Sequence, residues 1–149
     1  MTTHGTIRTG IGGWAFDAWN DSFYPPKLGL DIGRCRANNP PKLAKTRHLQ
    51  HAGSQLQAIE VNGTYYGSQK PATFAKWAAD VPDGFVFSLK ASRYCTNRKV
   101  LAESEPSITK FLTQGITELG DRLGPILWQF MPTKKFEPDD FAAFLKLLP

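Results

Sequence analysis

The stretch A-I-E-V-N-G-T-Y-Y, residues 58–66, places a carboxylate, Glu60, and an amide, Asn62, inside a segment that otherwise reads as a core strand. Side chains alternate faces along a strand, so Glu60 and Asn62 share one side while Ile59 and Val61 take the other. The same alternation separates Phe85, Phe87 and Leu89 from Val86, Ser88 and Lys90 in the run F-V-F-S-L-K. In L-G-P-I-L-W-Q-F it separates Ile126, Trp128 and Phe130 from Leu127 and Gln129. One face of each strand is large and apolar. The other is smaller and turns polar toward its C-terminal end.

Glu60, Asn62, Lys90 and Gln129 are therefore expected at one mouth. A carboxylate and an ammonium there suit general acid–base chemistry with electrostatic stabilisation, Glu60 as acid or base and Lys90 as its charged partner. An isolated buried charge is very unfavourable, so a Glu60–Lys90 pair is the expected arrangement. That pair could equally be a self-satisfied structural one. Asn62 and Gln129 would orient a ligand. Trp14, Tyr65 and Tyr66 could stack on a ring or sugar, or simply pack in loops.

The elements that must hold these groups alternate regularly. A first strand runs over residues 6–12 and leads to Trp14, and turn signals follow at F-Y-P-P and N-N-P-P. A helix is expected from Pro41 to a stop at Gly53. The second strand covers 58–62, and a helix over 71–80 opens with proline. The turn P-D-G precedes the third strand, 85–90. Helix 108–119, strand 123–130 and helix 139–148 complete the chain. Four strand–helix units predict an α/β fold with a parallel sheet. The polar second strand face suits the interior of a (β/α) barrel, whose working groups lie at the C-terminal rim. No G-x-G-x-x-G follows the first strand and no Walker lysine motif occurs, which disfavours nucleotide folds.

Composition narrows the rest. The chain has 149 residues, 41% hydrophobic and 21% charged, as in an ordinary globular domain. No apolar run is long enough to span a bilayer, so no membrane partner is expected. The start M-T-T-H-G-T-I-R-T-G lacks a signal-peptide stretch, making the cytoplasm the default. The net charge of +5 is scattered. Its densest stretch, R-Y-C-T-N-R-K over 93–99, keeps nucleic acid open as an alternative partner to a small molecule. Cys35 and Cys95 have no metal or redox spacing, and Cys95 between Arg93 and Arg98 reads as an inert thiol. His48 and His51 read as surface residues with no third ligand, so no metal site is expected and no cofactor is named.

The strings I-G-G-W, F-Y-P, A-I-E-V-N-G-T-Y-Y, T-F-A-K-W, P-D-G-F-V-F-S-L-K-A and L-G-D-R-L-G-P-I-L-W-Q-F occur in order. Together they closely resemble the YecE-like family, domain of unknown function 72, from about Thr6 to Pro149. The resemblance implies a TIM-barrel-like fold whose activity is not established. It carries a polar signature onto Glu60, Asn62, Thr64, Tyr66, Lys90 and Gln129. Arg93 and Asn97, in the loop after the third strand, join the candidate ligand-binding set. Many relatives have Thr-His where this chain has Thr96-Asn97, and often Ser where it has Gly12. Relatives are the size of a whole barrel, typically ~250 residues. The 1–149 chain is thus expected to be the N-terminal half of one domain. Its first and fourth strands would be open edges that invite self-association or completion by a partner chain.

Overall fold

The computed structural model describes residues 5–20, 22–25 and 45–149. Four parallel strands, β1 (Gly10–Gly12), β2 (Ala58–Val61), β3 (Val86–Lys90) and β4 (Leu123–Leu127), lie in the order β1-β2-β3-β4. Each strand joins the next through helical structure, as a parallel neighbour requires. The helices are α1 (Lys45–Gln55), α2 (Gly63–Tyr66), α3 (Pro71–Ala79), α4 (Arg93–Thr96), α5 (Glu105–Leu112) and α6 (Pro138–Leu145). The α/β class and the strand–helix alternation expected from sequence are present.

Several boundaries differ from the sequence-based expectation. The first strand is only Gly10–Gly12. Helix α1 runs through Gly53 to Gln55, because Gly53 packs against Val81 and Pro82 rather than ending the helix. Its expected start at Pro41 lies outside the described residues, as do the N-N-P-P turn and Cys35. The third long helix begins early, at Glu105, and stops at Leu112. Gly115 explains the stop: its φ is +108°, and a Cβ there would sit 2.7 Å from the Cα of Pro71. The chain continues as a 3-10 segment over Ile116–Arg122.

The core lies on one side of the sheet. Ile59, Val61, Phe87 and Leu89 are at most 2% exposed and pack with Phe74, Ile108, Phe111 and Phe144 from the helices. Burying such side chains is the main stabilising term of the fold. The opposite sheet face carries Glu60, Ser88, Lys90 and Leu127, all at least partly exposed, and Gln129 is exposed just beyond the end of β4.

Register on this face depends on an irregularity in β4. Phe87 pairs with Leu123 but Leu89 pairs with Ile126, so β4 holds one extra residue across G-P. A proline cannot donate to the ladder, which suits a bulge. Gly124 is required there, since a Cβ would lie 2.3 Å from Val86 Cγ1 and 3.0 Å from the Phe87 carbonyl oxygen. The bulge turns Ile126 toward the helices and sets Leu127 beside Lys90.

Candidate functional site

Glu60 pairs in register with Ser88, and Lys90 lies two residues further along β3 on the same side of the sheet. The carboxylate and the ammonium therefore leave adjacent strands on one partly exposed face, at their C-terminal ends. The expected Glu60–Lys90 ion pair is absent among the described residues, whose ion pairs are Lys76–Asp80, Arg122–Asp83 and Lys134–Asp140. The physical reason is solvent access. Both residues are partly exposed, so water hydrates each charge and no buried partner is demanded.

The ammonium of Lys90 instead sits over the ring of Tyr65, 5.0 Å from its centroid, a cation–π arrangement. Tyr65 is placed by α2, the single helical turn that G-T-Y-Y makes after β2. Thr64 anchors that turn. It is 1% exposed, and its hydroxyl points at the carbonyls of Val61 (2.9 Å) and Lys90 (2.7 Å). Tyr66 meets Tyr65 edge-on at 5.1 Å and is 67% exposed.

Asn97 comes to the same cluster from the end of α4. Its Nδ2 donates to the Tyr65 hydroxyl at 3.4 Å, while its Oδ1 is buried without a hydrogen-bond partner. A buried polar atom left unpaired costs free energy, so this acceptor is a natural place for a ligand donor. Arg93 is exposed, and its guanidinium lies over the Tyr94 ring at 5.3 Å. Asn62 precedes α2 but makes no capping hydrogen bond, and its Nδ2 faces Gly12 at the end of β1. Gln129 is exposed just beyond the end of β4, and its backbone carbonyl accepts from Thr96 Oγ1 at 2.5 Å.

Trp14 is not brought to this face. It packs edge-on against Trp77 at 5.3 Å and against Phe87 at 6.4 Å, on the helix-covered side. Arg98 of the basic loop turns inward, donating to the Tyr94 and Glu103 carbonyls and to Ser107 Oγ. Its guanidinium is thus engaged by groups of the protein itself.

His48 corrects the sequence reading. It is 6% exposed rather than on the surface, stacked on Tyr24 at 4.2 Å, and burial lowers its pKa. Tyr24 is wholly buried, donates to the Trp14 carbonyl at 2.6 Å, and has its hydroxyl pKa pushed up to about 12 by desolvation. Cys95 is also wholly buried. Burial pushes its thiol up to about 11, against a smaller opposite effect from Arg98. Among the described residues no group of three or more His, Cys, Asp or Glu is placed to hold a metal ion. No helix of the described residues is long and apolar enough to cross a membrane. Tyr94 was missed by sequence reasoning, and only its place after Ser92, a helix N-cap, could have signalled its position.

The chain is similar to known proteins in sequence and in fold. The chain is 24% identical over 131 residues to UPF0759 protein YunF of Bacillus subtilis (strain 168), covering 85% of this chain and 40% of that protein. A crystal structure of a DUF72 family protein from Enterococcus faecalis V583 superposes with a TM-score of 0.63 at 24% identity. That match covers 95% of this chain and 46% of the other. A second crystal structure of a DUF72 family protein from the same organism gives a TM-score of 0.55 at 28% identity, covering 66% and 41%. The chain thus spans less than half the length of the relatives it matches. The model of the family described as "Protein of unknown function DUF72" matches residues 8–149, and the chain belongs to that family.

Proposed function

We propose that the chain forms one half, the N-terminal one, of a TIM-barrel-like domain that binds a small anionic or sugar-like molecule, and acts on it, at the C-terminal ends of the strands. The partly exposed sheet face of Glu60 and Lys90 would line the barrel interior. Glu60 is the acid or base, and Lys90 stabilises negative charge on the ligand. Asn62, Asn97 and Gln129 orient the ligand, while Tyr65 and Tyr66 offer ring faces. The observation that carries this reading is the placement of Glu60 and Lys90 on one face without an ion pair between them. The orphaned Oδ1 of Asn97 beside Tyr65 supports it. Charges that have not neutralised each other remain available to a ligand.

The test is a thermal-shift screen of metabolites with the parent chain, Glu60→Gln and Lys90→Met. A ligand at this face raises the melting temperature of the parent and loses most of that shift in both variants. Hits that stabilise all three proteins equally would remove the assignment.

A second reading rests on the sheet edges. β1 and β4 each pair on one side only among the described residues, so either can template association with another chain. Sedimentation of the chain tests it: a concentration-dependent dimer is expected, and a monomer at all concentrations contradicts it.

A further inference from the structure

A cavity of about 260 Å³ opens between α2, α4 and α5. Its walls include Ser92, Tyr94, Ser107 and Lys110, with Phe111 as apolar lining, and no carboxylate contributes to it. Neither Glu60 nor Lys90 reaches it.

The polar groups of this cavity are not equally free. The Gln114 amide is committed, since its Oε1 accepts from Gln69 N–H and its Nε2 donates to the Phe111 carbonyl, both at 2.9 Å. The Thr64 hydroxyl is committed to backbone carbonyls. Ser107 and Tyr94 differ. Ser107 Oγ accepts from the Arg98 guanidinium at 2.7 Å, and the Tyr94 hydroxyl oxygen lies 3.4 Å from Arg93 Nη2, which donates to it. Each hydroxyl oxygen accepts one hydrogen bond from an arginine and keeps its own proton to donate. Such a proton is polarised toward an incoming anion. Lys110 adds a full positive charge, is exposed, and makes no ion pair among the described residues. One cation, Lys110, thus lines a recess with an aromatic wall, and two hydroxyls of that recess are each held by an arginine, Tyr94 by Arg93 and Ser107 by Arg98.

We propose that this recess is a second ligand site, taking a phosphate or sulfate monoester with a small apolar group. The oxyanion meets Lys110 and the Ser107 and Tyr94 hydroxyls, and the apolar group rests on Phe111. A free inorganic anion would engage only the first half of the site, and an uncharged aromatic only the second.

The experiment is an amide-NMR titration of the chain with phenyl phosphate, with inorganic phosphate and phenol as the two partial probes. Phenyl phosphate is expected to shift the amides of Ser92, Tyr94, Ser107 and Lys110 and to bind more tightly than either partial probe. Lys110→Met should weaken binding about three- to tenfold, the range for one charged hydrogen bond at a partly exposed site. Ser107→Ala tests the site independently and should also weaken it, while Glu60→Gln leaves it unchanged. Thermal melts confirm that the variants fold. Phenol binding as tightly as phenyl phosphate would overturn the proposal. So would affinity unchanged in both Lys110→Met and Ser107→Ala, shifts confined to the Glu60 face, or no shifts through the millimolar range.

Discussion

The ammonium of Lys90 lies 5.0 Å above the ring of Tyr65, held there by the turn that follows β2 rather than by the carboxylate of Glu60. The rim is thus organised by contacts between successive strand ends. Thr64 ties α2 to the end of β3, and Asn97 ties α4 to Tyr65.

Thr64→Val should expose this dependence. Valine keeps the shape but removes a buried hydroxyl, leaving the Lys90 carbonyl short of a donor. A loss of about 1–2 kcal/mol of stability is expected from urea denaturation. An unchanged midpoint would show that the turn is held by packing alone.

Gly124→Ala tests the bulge that sets the register of β4. The added Cβ would lie 2.3 Å from Val86 Cγ1 in the present arrangement. Overpacking of this kind costs about 1–3 kcal/mol, so the variant should unfold at lower denaturant than the parent. Equal stability would mean that β3 and β4 separate without penalty.

Asp140 provides a pH signature. Its carboxylate accepts from Leu101 N–H at 2.8 Å and Ala102 N–H at 3.0 Å, and pairs with Lys134 at 3.0 Å. These contacts, the backbone ones foremost, hold its pKa below the ordinary carboxylate value. The stabilisation is fully present above the unfolded-state pKa and is lost as pH falls through the folded one. The stability gap between the parent and Asp140→Asn should be constant near neutrality and shrink in acid. A gap that ignores acid pH would contradict this.

Cys95 should be inert in the folded chain. With its thiol pushed up to about 11 and its side chain fully buried, little thiolate forms at mildly alkaline pH. Alkylation followed by mass spectrometry should find Cys95 unmodified until denaturant is added. Rapid native-state modification would mean that the α4 region opens readily.

Much of the face pattern was legible in the sequence because strand periodicity is strict. Ile59, Val61, Phe87 and Leu89 alternate with Glu60, Ser88 and Lys90, and the covered and open faces follow. The bulge at Gly124–Pro125 was not legible as a register shift, although it fixes which β4 residues stand beside Lys90. Trp14 looked like a rim aromatic because it follows β1, but Trp77 and Phe87 offer it a larger apolar contact. His48 looked exposed because its helix is polar, yet Tyr24, distant in sequence, stacks on it. The recess at Lys110 and Ser107 was invisible, since it joins three helices with no shared motif. In each case the deciding contact is long-range, and local pattern carries no information about it.

The central claim is that Glu60 and Lys90 act together on one ligand. A double-mutant cycle on the affinity of the best screening hit tests it most directly, using the parent, Glu60→Gln, Lys90→Met and the double variant in calorimetry. Each single change is expected to weaken binding about tenfold or more, with a coupling of about 0.5–3 kcal/mol between them. Affinities indistinguishable from the parent in both single variants would contradict the account.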